Sequence, residues 1–405
     1  MSLKIYNKNK NVLDAAKERI RFTFDNFERI YVSYSGGKDS TVMLHLVAEE
    51  ARKRNRKFGV LIIDLEAQYE HTIAGMSAMV EEYKDIINLY WICLPMSLRN
   101  AVSNYDPRWI CWDADKKDMW VREMPDCAIS DEKFFPFFGK GMEFEEFMVE
   151  FGLWYGQGKK TAAFVGIRAD ESLNRFRTIA SKSKVTYEGR SYTTLVDEQL
   201  YNVYPIYDWK VSDLWLYHHK NPDKKFNLIY EYMHKAGLKP SEMRLCQPYG
   251  DDQRRGLWLF HALEPKTWYK VVARVNGANS GALYVQETGN ITGYNKIYKP
   301  ENHTWKSFCN LLLKSLPKKS QDHFISKFKV FIKWWIKRGY PDGLPEEAPL
   351  ELESKKLAPS WRRMCKVLLR NDHWCKGLGF SQPKSAVYGE YLKRKKGLKT
   401  AWDEK

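Results

Sequence analysis

The chain has 405 residues, of which 44% are hydrophobic, 29% charged and 15% aromatic, enough apolar mass for more than one core and too much for a disordered or fibrous chain. No apolar run approaches the roughly 18 residues of a membrane-crossing helix, and the polar start MSLKIYNKNK lacks a signal peptide's apolar stretch, so the expected setting is the cytoplasm, with no membrane partner. The net charge of +16 is uneven: residues 301–405 hold 23 Lys and Arg against 11 Asp and Glu, a balance of +12, and the first 300 residues carry only +4.

In chain order, an amphipathic helix is predicted over 11–28, then a short run of β-formers over 29–34 that ends at Ser35-Gly-Gly-Lys-Asp-Ser40. Residues 41–54 read as a helix with apolar Val42, Leu44, Leu46 and Val47. The continuous apolar run over 58–64 is of the kind that parallel strands buried on both faces show, and a helix over 68–84 and a third strand over 86–94 follow it. Residues 97–135, rich in Trp and charge, break the alternation and read as an insertion. The rhythm resumes with a helix over 141–155, a strand over 162–166, a helix from about 170, a strand over 203–207, and helices over 211–220 and 225–235. Repeated β–α units at short spacing predict an α/β fold on a doubly wound parallel sheet, with ligands at the carboxyl ends of its strands. Beyond about residue 240 helical periodicity dominates. The expected division is an α/β domain over 1–240, carrying the insertion, and a mainly helical basic C-terminal region over 241–405. In the latter, Phe324, Phe328, Phe331, Trp334 and Trp335 recur at the spacing of a helix's core face.

Two glycines at the end of a buried strand let the backbone turn tightly and approach a ligand, while Ser35, Ser40 and the open amides of the next helix point at an anion. The pattern is a phosphate cradle but not a Walker A loop, which places Gly where this chain has Val32 and Ser or Thr where it has Asp39. The wording resembles the PP-loop of the adenine nucleotide alpha hydrolase-like superfamily, shared by adenylating enzymes that release pyrophosphate and by sulfonucleotide reductases. Two more signatures narrow the resemblance to the phosphoadenosine phosphosulfate reductase family. One is the strand that ends Ile62-Ile-Asp-Leu-Glu66. The other is Gly166-Ile-Arg-Ala-Asp-Glu-Ser172 with Arg175 and Arg177, similar to that family's GxRxxES…R; Tyr204-Pro-Ile-Tyr-Asp-Trp209 and Ser212-Asp-Leu-Trp215 also resemble it.

The resemblance implies a nucleotide-binding domain that takes ATP or a related adenosine nucleotide with Mg²⁺. Ser35, Gly36, Gly37 and Ser40 would donate to phosphates, Lys38 would offset their charge and Asp39 would ligate or orient Mg²⁺. Asp64 would contact the adenosine, Gly166 would allow close approach, Arg168 and Arg175 would bind the distal oxyanion, and Glu171 would orient an Arg or assist the metal. Lys38, Asp39 and Arg168 are the implied catalytic set. Asp64 and Glu66 also admit a reading in which they only cap the following helix or face solvent.

The family pattern is incomplete. The reductases' Glu-Cys-Gly-x-His motif has no counterpart; Asn371-Asp-His-Trp-Cys375 resembles it only superficially, with its His before the Cys and core-like neighbours. The seven Cys include no CxxC, so no iron–sulfur cluster is expected. Adenylyl transfer with pyrophosphate release is therefore as consistent as sulfonucleotide reduction. The insertion, the 244–253 stretch and the basic tail also resemble prophage gene co-activators of the immunoglobulin-binding-regulator type, which implies a ParB-like protein partner. The alternative reading is thus a transcription co-activator whose nucleotide site governs contact with that partner, or with DNA through 301–405, without turnover. Lys318-Lys319, Lys327, Lys329, Lys333, Lys337-Arg338, Arg362-Arg363 and Lys393-Arg-Lys-Lys396 hold most of that region's charge, and Arg362, Arg363, Lys395 and Lys396 are expected among the phosphate contacts.

Overall fold

The structure, a computed structural model, describes residues 5–7, 10–103, 105–240, 242–245, 247–250, 257–278 and 297–381; Cys246 and the 393–396 basic cluster lie outside the described residues. Helix α1 (Val12–Asn26) starts at Asn11, whose side chain accepts from the amides of Leu13 and Asp14 while Asp14 returns a bond to the Asn11 amide. Its buried face, with Val12, Ala16, Ile20 and Phe24, packs into the main core.

Six strands form the central sheet: β1 (Arg29–Ser33), β2 (Phe58–Ile63), β3 (Ile87–Ile92), β6 (Thr161–Val165), β7 (Thr193–Asp197) and β8 (Leu200–Val203). Two further strands, β4 (Ser97–Arg99) and β5 (Arg108–Ile110), make a small antiparallel hairpin in the insertion. The order across the main sheet is β3-β2-β1-β6-β8-β7, parallel throughout except for the β8–β7 pair. Helices α2 (Lys38–Lys53), α3 (Glu70–Tyr83) and α4 (Phe144–Gly156) provide the crossovers. The chain runs outward from β1 to β3 and then returns to place β6 on the other side of β1. That reversal is a topological switch point, where α/β sheets bind their ligands.

The expected doubly wound sheet is therefore present, with one antiparallel edge strand that the β–α rhythm does not announce. The strand expected over 203–207 ends at Val203, because Pro205 cannot donate to a ladder. Both outer edges are met by non-strand backbone. On β7, the Leu195 amide donates to Val185 O (2.8 Å), and on β3, Ile129 of the insertion bridges Ile92, accepting from Cys93 N (3.0 Å) and donating to Trp91 O (2.7 Å).

The first core runs from Val12 to Ala278 and includes Trp109 and Trp112 of the insertion as well as helices α8 (Leu257–Leu263) and α9 (Pro265–Arg274). Ahead of these, α5 (Leu173–Ala180), α6 (Val211–Lys220) and α7 (Ile229–Lys235) follow β6 and β8. A second core is built by α10 (Trp305–Ser315), α11 (Lys318–Ile336) and α13 (Trp361–Leu369), with Cys375 and Leu378 beyond them; the short α12 (Leu350–Ser354) buries only Glu353 and adds nothing to it. Phe324, Phe328, Phe331 and Trp335 lie inside it, but Trp334 does not: it is 45% exposed, with the Arg338 guanidinium 4.0 Å from its ring centroid. No described helix is long and apolar enough to cross a membrane.

Candidate functional site

The loop after β1 turns at Gly36, whose φ of +69° suits glycine; a Cβ there would also stand 2.9 Å from Met76 and 3.0 Å from Thr72. Ser35 Oγ and Ser40 Oγ share a hydrogen bond of 3.1 Å across the loop, and Ser40 Oγ also accepts from the Ser35 amide (3.3 Å). Gly37 caps α2 without a side chain, so the first-turn amides of this helix lack intrahelical partners. From the neighbouring strand end comes Gly166. A Cβ on it would lie 3.1 Å from both Cα and N of Ser40, so only glycine lets β6 abut the first turn of α2. Ser35, Gly36, Gly37, Lys38, Asp39, Ser40, Gly166 and Arg168 are thus brought together at the switch point.

Their charges are paired with one another. Arg168, 1% exposed in its side chain, donates through Nε to Asp39 Oδ1 and through Nη1 to the Trp209 carbonyl (3.2 Å). Lys38 Nζ donates to Met243 O (2.9 Å) and lies 3.5 Å from Asp39 Oδ2. Burial lowers the Lys38 pKa, against the pull of Asp39 and with a further push from Arg168. Asp39 is therefore matched by two cations, and no group of three or more metal-ligating side chains occurs among the described residues. This donor set does not fit a resident metal ion.

Glu171 reaches that cluster through its charge, which pulls the Lys38 pKa upward. Glu171 pairs with Arg175 at 3.6 Å, and Arg175, on the exposed side of α5, keeps 47% of its side-chain surface. The resemblance puts Asp64 beside an adenosine, but the structure puts its side chain to another use. At 1% exposure, its carboxylate takes the Arg122 guanidinium, the Trp91 indole N–H (2.9 Å) and the Glu66 amide (3.0 Å), which leaves no oxygen facing a crevice. Glu66, fully buried, accepts from Arg274 Nε (2.6 Å) and Nη2 (3.0 Å) and from the amides of Trp112 (2.7 Å) and Val121 (3.2 Å). Neither caps the following helix, whose first amides, of Glu70 and His71, donate to Glu264 (2.9 and 3.0 Å).

Two loop partners carry no local signal in the sequence. The Tyr230 hydroxyl accepts from the Lys38 amide (3.0 Å), and Asn227 Nδ2 donates to Gly36 O and Thr72 Oγ1, both at 3.0 Å. His45, on the buried face of α2, is held by the Tyr83 hydroxyl (2.6 Å) and Lys225 O (2.7 Å), and burial depresses its pKa to about 4. Cys375 sits in the second core, where burial raises its thiol to about 12. The expected polyanion contacts Arg362 and Arg363 are spent internally: Arg362 on Glu347 (2.7 Å) and Glu353 (3.1 Å), and Arg363, buried, on backbone carbonyls including Gly377 O (2.8 Å).

Comparison with known proteins adds context to this geometry. A model of the phosphoadenosine phosphosulfate reductase domain matches residues 29–237, and one of a domain of unknown function (DUF3440) matches 237–357 and 342–388. The chain is 43% identical over 395 residues to the uncharacterized protein YbdN of Escherichia coli (strain K12), covering 97% of this chain and 96% of that one. Among solved structures, phosphoadenylyl-sulfate reductase from Candida auris, as a phosphate complex, is 12% identical with a TM-score of 0.31, covering 57% of this chain and 94% of its own. FMN adenylyltransferase from Candida glabrata, with FAD and inorganic pyrophosphate, is 15% identical with a TM-score of 0.34, covering 55% of this chain and 60% of its own.

Proposed function

This chain belongs to the phosphoadenosine phosphosulfate reductase domain family, and we propose that it binds an adenosine nucleotide by its phosphates on the 35–40 loop and the first turn of α2. The observation that carries the reading is the junction of β1 and β6. There, helix-start amides, two hydroxyls, a buried ammonium and a buried guanidinium converge on one strand reversal. Lys38 has three hydrogens, of which Met243 O and Asp39 take two, and the third can donate to a phosphate oxygen. Charge developing on phosphate oxygens would meet fixed donors that need no reorganisation.

The reaction class best suited to these groups is attack of an acceptor oxygen on the α-phosphorus, with cleavage of the α–β bridge and departure of pyrophosphate. Such a step asks the protein for position and positive charge, not for a thiol. Reduction through Cys375 finds no support, since a thiol held near 12 inside a core is a poor nucleophile. The test is titration calorimetry with ATP and with phosphoadenosine phosphosulfate, followed by mass spectrometry of the products. With water as the acceptor oxygen in this assay, AMP and pyrophosphate are expected. Sulfite and the bisphosphate would restore reduction, binding without product would favour the regulatory reading, and no binding of either nucleotide would overturn the site.

A further inference from the structure

Behind the loop, α6 and α7 border a cavity of about 1440 Å³ that opens to solvent. Its wall is mostly apolar and carries the rings of Trp215, Phe226 and Tyr230 together with the imidazoles of His218, His219 and His234. Trp215 meets Tyr230 edge to face at 5.7 Å and Phe226 at 6.5 Å, while His218 lies tilted against Phe226 at 5.1 Å. Such a wall accepts a flat ring system between its own rings.

Two polar groups in this wall have no partner. The indole nitrogen of Trp215 is buried without a hydrogen bond, and so are both ring nitrogens of His218, a residue only 8% exposed. The Lys38 carbonyl lies near the His218 ring but outside hydrogen-bonding geometry. Burial holds this imidazole's pKa at about 4, so at neutral pH the ring is uncharged and offers one donor and one acceptor. Buried polar groups are almost always satisfied, and orphans in the wall of an open cavity mark a place where a ligand atom completes the bonding.

The charge around the cavity narrows the guest. Lys235 and Lys239 line it, exposed, and among the described residues neither forms an ion pair and Glu231 is the one carboxylate in the lining. A cationic guest, which aromatic walls otherwise favour, is opposed by this surplus, and an anionic group is matched by it.

We propose that the cavity binds a small planar aromatic acid. Its ring system lies against Trp215, Phe226 and Tyr230, a ring substituent bonds with the Trp215 indole and the His218 imidazole, and its acidic group meets Lys235 and Lys239. The site is separate from the phosphate loop, with Tyr230 as the shared wall: its ring faces the cavity and its hydroxyl holds the Lys38 amide. Because binding can be measured without nucleotide, its outcome is independent of the ATP titration.

The experiment is titration calorimetry of the full chain with 6-hydroxy-2-naphthoate and with the matching carboxamide, which keeps the rings and removes the charge. We expect the acid to bind at least tenfold more tightly than the amide. Leu216→Asp, which places a charge in the apolar wall, should weaken both by tenfold or more. The doubly substituted Lys235→Gln/Lys239→Gln chain, altered only at exposed positions, should lose the acid's advantage and keep the amide's affinity. No binding of the acid at millimolar concentration, equal affinities for acid and amide, or an undiminished acid preference in the double variant would each overturn the proposal.

Discussion

Two acid–arginine pairs stand beyond the carboxyl ends of neighbouring strands, and they have opposite surroundings. Asp39 and Arg168 meet at the β1–β6 junction, where Asp39 keeps 17% of its side-chain surface and Ser35 beside it is exposed. Glu66 and Arg274, beyond β2, keep 0% and 1%. The difference lies in the cover. The insertion supplies the Trp112 and Val121 amides to Glu66 and the guanidinium of Arg122 to neighbouring Asp64, and α9 supplies Arg274. An acid at a strand end is a receptor when the crevice above it stays open, and a strut when another segment of the chain closes it.

The largest effect expected from this contrast is on stability. Glu66→Gln leaves Arg274 as an uncompensated buried charge and should cost on the order of 3–5 kcal/mol, measured by urea unfolding. Asp39→Asn, at the open pair, should cost clearly less, and equal losses in the two variants would erase the distinction.

Burial apart from both pairs can be tested with acid. His45 and His218 have folded pKa values of about 4 against an ordinary 6.5, so between those values the unfolded chain binds protons that the folded chain refuses. Stability is then fully present above about pH 6.5 and is lost as pH falls toward 4, by on the order of 3 kcal/mol per histidine. Melting temperature followed from pH 7 to 4 should fall, with a shallower slope in His45→Gln; an unchanged slope in that variant would contradict the assignment.

The open side is sharpened by Lys38→Ala, which should keep most of the fold's stability yet weaken ATP binding tenfold or more, the loss of a charge-assisted contact worth roughly 1.5–3 kcal/mol. Calorimetry with unchanged affinity would remove Lys38 from the site. The smallest effect is expected on α11 and its C-terminal cap, where Lys329, Lys333 and Lys337 are exposed four residues apart. Reversing all three to Glu should change stability by less than about 1 kcal/mol. If this face meets nucleic acid, retention of duplex DNA across a salt series should lose slope in the triple variant.

The loop, its strand and the Gly166–Arg168 turn are legible in the sequence because each is a local pattern whose residues lie next to what they do. The second core is legible for the same reason, through the helical spacing of Phe324, Phe328 and Phe331. What escapes is pairing across the chain. Arg274 lies 208 residues from Glu66, Tyr230 lies 192 from Lys38 and Arg122 lies 58 from Asp64, and no periodicity relates such positions. Asp64 therefore reads as a ligand contact, and both Asp64 and Glu66 as helix caps, when each is an internal counter-ion. Arg363 reads as surface charge because Arg362 beside it is partly so; only the register of α13, which turns Met364 and Val367 inward with it, separates the two.

The treatment of the sheet's margins governs how this chain can meet another. A bare outer strand is a template on which a foreign strand can register, the route to runaway stacking. Here Val185 takes the Leu195 amide in the middle of β7 and Ile129 takes Trp91 O and Cys93 N at the end of β3, so each margin is interrupted by backbone from the same chain. The insertion thereby acts as a guard as well as a cover for Glu66. Association at these guarded margins must go through side-chain surfaces, which makes recognition there a matter of shape and charge instead of main-chain pairing.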